Sequence, residues 1–155
     1  MTLDLCGFQF QSELFRRARL QVNYVSKSSE LELSNEIVKY EPRGAGFALR
    51  ELKRAVATCP PHPVKSAVAG VPPLTYRIHR FHADRLLPGA VSLRMDVSGT
   101  AHGRLLNVKA VVIYQVHGVF LSGVYVVAAA DSYESAALGF AAHAARASAA
   151  NLRRT

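Results

Sequence analysis

The stretch Leu106-Asn107-Val108-Lys109-Ala110-Val111-Val112-Ile113-Tyr114-Gln115-Val116-His117-Gly118-Val119-Phe120-Leu121-Ser122-Gly123-Val124-Tyr125-Val126-Val127-Ala128-Ala129 decides the fold. It contains two runs, Leu106 to Val116 and Val119 to Ala129, rich in the β-branched and aromatic side chains that suit a pleated surface. Between them His117-Gly118 reads as a two-residue loop, suited to a tight antiparallel hairpin with glycine at positive φ. Both runs are apolar on successive residues, as at Val111-Val112-Ile113, so neither face of this hairpin is meant for water. The reading is two central strands of a sheet covered on both sides.

Upstream, Val91, Leu93, Met95 and Val97 alternate with Ser92, Arg94, Asp96 and Ser98, the period of a strand. Leu74 to Phe81 is extended but less regular, and residues 60–73 form a proline-punctuated connector. Before it the period changes. Ala45, Ala48, Leu49, Leu52, Ala55, Val56 and Cys59 follow one helical stripe, with Arg50, Glu51, Lys53 and Arg54 on the other face. Pro60-Pro61 ends that helix. Pro42, Gly44 and Gly46 separate it from an extended run, Leu33 to Tyr40, centred on Ile37-Val38. Ser28-Ser29-Glu30 marks a turn. Arg16 to Ser26 places Ala18, Leu20, Val22 and Tyr24 opposite Arg19, Gln21 and Asn23, the pattern of a half-buried strand.

Downstream, Asp131-Ser132-Tyr133-Glu134 has the form of a capping box. The alanine-rich stretch to Leu152 favours helix, with Ala137, Phe140, Ala141, Ala144, Ser148 and Leu152 facing the core. The order β-β-α-β-β-β-β-α predicts one α+β domain over residues 1–155, an antiparallel sheet of about six strands carrying two helices. No glycine-rich loop joins a strand to a helix, which argues against a nucleotide fold.

Composition agrees with a globular domain: 155 residues, half of them hydrophobic and 19% charged. No run of about 18 apolar residues is present, so no transmembrane segment is expected. Met1 to Cys6 lacks a basic region followed by an apolar core, so no signal peptide is visible. Taken literally the chain stays in the cytoplasm; the alternative is a start downstream of a true leader. The net charge of +8 suggests an anionic partner or surface. Residues 1–60 hold nine Lys or Arg against seven Asp or Glu, and residues 61–155 hold ten against four, so the second half is electropositive. The plainer reading is arginine serving solubility on an outer sheet face.

The residues form no complete catalytic constellation, and the chain is read as a non-enzyme. His79 and His82 are three apart on a strand and point to opposite faces; His102 sits in the turn Gly99–Gly103. No Cys or acidic cluster joins them, so neither metal nor cofactor is expected. No nucleophile elbow accompanies the Ser, His and Asp present. Glu30, Glu32 and Glu36 read as a solvated face. Lys65, Arg77, Arg80, Arg85, Arg94, Arg104 and Lys109, interleaved with Tyr76 and Phe81, match no nucleic-acid motif. They fit a small anionic ligand better than a nucleic acid. Cys6 and Cys59, the only cysteines, leave two readings open: a bridge closing a long loop, or two buried free thiols.

The run Leu3-Asp4-Leu5-Cys6-Gly7, the strand Ala18 to Val22, the segment Leu33 to Tyr40 and the helix ending Cys59-Pro60 resemble actinobacterial secreted and lipoprotein-type sensor domains. The chain is similar in this to the extracytoplasmic sensor domain of mycobacterial serine/threonine protein kinase H. The resemblance implies an extracellular or cell-envelope domain, stapled by disulfides, with a ligand groove between sheet and helices. Only Cys59 matches a position of that pattern; with the resemblance, a Cys6–Cys59 bridge becomes the favoured reading. The function expected is then a non-enzymatic ligand-binding or sensor domain of a secreted or lipid-anchored protein, its ligand a small or anionic molecule such as a cell-envelope component. Tyr76, Arg80, Arg94, Tyr114 and Tyr125 are the residues expected to line a groove between the sheet and the second helix; for Tyr114 and Tyr125 the alternative is a core role. The rival functions are a cytoplasmic small-molecule-binding protein or enzyme on a curved sheet and, less favoured, a nucleic-acid-binding domain.

Overall fold

A computed structural model describes residues 3–28, 30–66, 70–101, 103–128 and 134–154. Its strands are β1 (Arg16–Val25), β2 (Leu31–Tyr40), β3 (Leu74–Arg80), β4 (Val91–Ala101), β5 (Arg104–His117) and β6 (Phe120–Ala128), with helices α1 (Gly44–Ala57) and α2 (Glu134–Leu152). The strands make one antiparallel sheet in the order β1-β2-β6-β5-β4-β3. This is the α+β arrangement expected from the sequence. The proposed N-cap Asp131 lies outside the described residues, as do Ser29 and His102.

β5 and β6 occupy the centre, and their two-sided apolar pattern has its physical cause there. One face carries Val38, Leu93, Val112, Tyr114 and Leu121 against Ala45, Ala48, Leu52 and Ala55 of α1 and against Leu3, Leu5 and Phe10 of the N-terminal segment. The other face carries Val111, Ile113, Val124 and Val126 against Ala137, Ala141 and Ala145 of α2. The sheet is therefore the middle of three layers, with one helix on each side. The hairpin loop is Gly118–Val119, one residue later than expected, because His117 pairs with Phe120; Gly118 takes φ +57°.

α2 approaches the sheet closely because its contact stripe is small: Ala137, Ala141, Ala145, Ser148 and Ala149 are all buried. Two buried polar side chains tie it down. The Ser122 and Ser148 hydroxyls are 2.7 Å apart, and Gln115 Nε2 donates to the Ala145 carbonyl at 2.7 Å. Phe140, expected in the core, is 54% exposed. The buried residues advance by three or four along the helix, which leaves Phe140 on the flank of that stripe.

The N-terminal segment lies on the α1 side. Cys6 and Cys59 are bridged, their Cα atoms 5.1 Å apart and 53 residues apart in sequence. Cys6 and Gly7 both take positive φ in a turn closed by the Phe8 amide donating to the Leu5 carbonyl at 3.0 Å. A side chain at Gly7 would meet Val64 Cβ at 3.2 Å, so glycine serves both the turn and the close approach. A short 3₁₀ helix, Gln11–Phe15, then leads into β1. Glu51 of α1, expected on the solvated face, is buried instead. Its carboxylate accepts the Gln11 and Ser12 amides at 3.0 and 2.9 Å, occupying donors that a helix N-terminus leaves free.

Candidate functional site

Strand register decides which side chains can meet, because residues directly opposite in an antiparallel pair share a face. Glu36, Gly123, Tyr114 and Val91 form one row across β2, β6, β5 and β4 on the α1 face. Ser34, Tyr125, Val112, Leu93 and Arg80 form the next. Gly123 leaves an open place at the centre of the first row. A Cβ there would lie 3.1 Å from Tyr125 Cε2 and 3.3 Å from Tyr114 Cε1, so both rings close over the glycine. Their centroids are 5.5 Å apart at 88°, an edge-to-face pair. The two hydroxyls are hydrogen-bonded to each other.

Next to the tyrosines the α1 face of β1 and β2 is polar. Glu36, 3% exposed, is ion-paired with Arg19. Arg19 also donates to the Gln21 side-chain oxygen. Gln21 Nε2 donates to Ser34 Oγ at 2.8 Å and lies 3.2 Å from Asn23 Oδ1. Glu36, Arg19, Gln21 and Ser34 thus form one hydrogen-bonded shelf running from the buried tyrosines to the solvent edge. The burial of Glu36 corrects the reading of that carboxylate as solvated. Its charge is offset by a guanidinium on the neighbouring strand, a pairing invisible until the register is known.

Burial raises the Tyr114 and Tyr125 hydroxyls above the usual phenol range; at Tyr114 the hydrogen bond with Tyr125 acts the other way, and the Glu36 carboxylate pushes both up. Tyr40, whose buried hydroxyl lacks a hydrogen-bond partner among the described residues, is raised by burial and then by Glu13 and Glu36. Tyr76 is pushed up to about 12, by burial first and by Asp4 second. Neutral hydroxyls next to a carboxylate are suited to hydrogen-bonding a polar ligand, not to acid–base chemistry near neutrality.

The five residues expected to line a site divide between the faces of the sheet. Tyr114 and Tyr125 meet. Tyr76 shares their face from β3, opposite Val97. Arg80 is exposed at the end of β3, three strands from Tyr125 in the same row. Arg94 lies on the α2 face, ion-paired with Glu134 at 2.8 Å. Among the five, then, only Arg94 faces α2; the tyrosines point to the opposite side. The basic stretch is divided too: Lys109 bonds Asp96 at 2.6 Å on the α2 face, and Arg85 lies in the loop after β3, beside a hollow of about 300 Å³ edged by Phe81, Asp84 and Ser92. Sequence reading missed Arg19, Gln21, Ser34, Glu36 and Gly123. The signal available was a strand, β2, whose even positions carry Ser34 and Glu36 on the same side as Val38 and Tyr40.

No family model matches the chain, and no curated protein matches it. Among solved structures, the extracellular domain of PknH from Mycobacterium tuberculosis superposes with a TM-score of 0.53 at 10% identity, covering 90% of this chain and 66% of that domain. The chain therefore spans just under two thirds of its length. A Pseudomonas aeruginosa protein of unknown function, PA94, matches with a TM-score of 0.36 at 16% identity, over 77% of this chain and 76% of that one. At these identities the likeness to the PknH extracellular domain is one of fold. Among the described residues no helix is long and apolar enough to cross a membrane.

Proposed function

We propose that residues 1–155 act as one non-enzymatic, extracytoplasmic ligand-binding or sensor domain of the actinobacterial secreted and lipoprotein type. The observation that carries this reading is the Cys6–Cys59 bridge in a fold shared with an extracellular domain, since such bridges persist in oxidising compartments. The ligand is a small polar or anionic component of the cell envelope. It docks where the tyrosine pair meets the shelf of Ser34, Gln21 and Arg19, with the aromatic edge of Tyr125 as its apolar contact. Arg19 supplies the cationic donor, and the neutral phenol hydroxyls supply donors and acceptors.

The test is a heteronuclear NMR titration of ¹⁵N-labelled protein with two probes, soluble muropeptides and glycerol phosphate. Saturable shifts confined to Gln21, Ser34, Glu36 and Tyr125, lost in Tyr125→Phe and Arg19→Gln, are the expected result. Shifts scattered over the surface, or a saturable response on the α2 face alone, would refute this placement of the site.

A further inference from the structure

β1 lies at the edge of the sheet, paired only with β2. The alternation expected to half-bury it leaves its apolar side in solvent: Leu20 is 67% exposed, Val22 43% and Tyr24 63%. Their opposite numbers Ile37, Asn35 and Leu33 on β2 place them on the α2 face, beyond the reach of the helix. From Leu20 to Val25 the strand holds no charge, proline or glycine. Those are the usual devices that keep an open edge from pairing with another chain. β1 confines them to its first half, where Arg16, Arg17 and Arg19 are ion-paired with Glu13, Glu41 and Glu36 and the register shifts between Arg16 and Ala18; the other edge, β3, carries Arg77, His79 and Arg80 and follows Pro72-Pro73.

The backbone of β1 is also ready to pair. The Ser26 amide donates to the Leu31 carbonyl at 2.9 Å, which makes that residue pair a hydrogen-bonded one. Alternation along an antiparallel ladder then turns the polar groups of Leu20, Val22 and Tyr24 toward β2. Those of Arg19, Gln21, Asn23 and Val25 point away from the sheet, unpaired by any strand.

We propose that two copies of this chain dimerise through β1, antiparallel about Gln21, to form one continuous sheet. In this register Leu20 lies opposite the second copy's Val22, and Ala18 opposite its Tyr24, a small side chain against a large one. Arg19 meets the second copy's Asn23, and the register shift beside Arg17 ends the regular ladder there, so no like charges face each other. A parallel pairing would set Arg17 and Arg19 beside their own copies. Charge selects the antiparallel Gln21 register over the parallel one. Pairing over Ala18–Tyr24 runs ~24 Å and, with side chains on both faces, buries on the order of 1,000 Å², the lower limit of a specific interface. The dimer is accordingly weak and concentration-dependent.

Sedimentation equilibrium of the intact, oxidised chain from about 1 μM to about 1 mM tests it. The mass should rise from 16.9 kDa toward twice that value. Val22→Lys, at an exposed position, should hold the protein monomeric throughout, and Val22→Ile should keep the dimer. A nitroxide on Gln21→Cys should show strong dipolar broadening at high concentration, an independent readout if Val22→Lys fails to fold. A wild-type monomer at the highest concentration overturns the proposal, and a β-strand peptide captured by that monomer would assign the edge to another protein. A dimer that persists in Val22→Lys, or one without broadening at Gln21, overturns it as well.

Discussion

Tyr40, Tyr76, Tyr114 and Tyr125 hold their protons more tightly in the folded chain than a free phenol does, chiefly because they are buried. Below about pH 10 native and unfolded chains are equally protonated at these groups, and their contribution to stability is intact. As the pH rises past that value the unfolded chain loses phenol protons that the native chain keeps. Each fully buried tyrosine then lowers stability by about 1.4 kcal/mol per pH unit until its own raised value is reached. An alkaline titration followed by tyrosinate absorbance and far-UV circular dichroism should therefore show most of the tyrosinate signal arriving together with unfolding. A smooth titration near pH 10 with native dichroism intact would mean the four hydroxyls are open to water. At this scale the sequence was only partly legible. Tyr114 and Tyr125 stand out as aromatics in central strands, but their meeting depends on Gly123 between them. Glu36 and Glu51 looked solvated because their partners, Arg19 and the Gln11 and Ser12 amides, lie 15 or more residues away.

The N-terminal segment is tied to α1 covalently. Leu3, Leu5 and Phe10 are buried, and side-chain hydrogen bonds join Asp4 to Ser66 and Glu51 to Gln11 and Ser12. The Cys6–Cys59 bridge closes a loop of more than fifty residues, and on the chain-entropy estimate contributes about 4 kcal/mol. Cys6→Ser/Cys59→Ser should lose stability of that order in urea unfolding. A loss below ~1 kcal/mol would show that the segment is held by its apolar contacts alone. Strands and helices themselves were readable because their signals are local: period two in β4, a 3.6-residue stripe in α1, glycine at the β5–β6 turn. The face each helix covers was not. It depends on the sheet order, which inserts β6 and β5 between β2 and β4, and no local pattern encodes that. The same order leaves β1 at the rim, so an apolar alternation that reads as half-buried is open to solvent.

For the molecule as a whole, the layered arrangement separates three surfaces. The α1 face holds the tyrosine pair and polar shelf, the α2 face is sealed at its centre by a close-packed alanine helix, and the β1 edge is open. Ligand docking on the first and self-pairing on the third are compatible, because Arg19, Gln21 and Asn23 point their side chains to the α1 face while their backbone groups point along the sheet. The bridge between segments 53 residues apart is of the kind that persists in an oxidising compartment. The bridge is therefore the feature on which the whole reading turns. Its most direct measurement is the intact mass of the non-reduced protein, expressed with a secretion leader and alkylated under denaturing conditions before and after reduction. The account predicts no alkylation until reductant is added, then two adducts, at Cys6 and Cys59. Two adducts on the denatured protein without reductant would show free thiols and contradict an extracytoplasmic, disulfide-stapled domain.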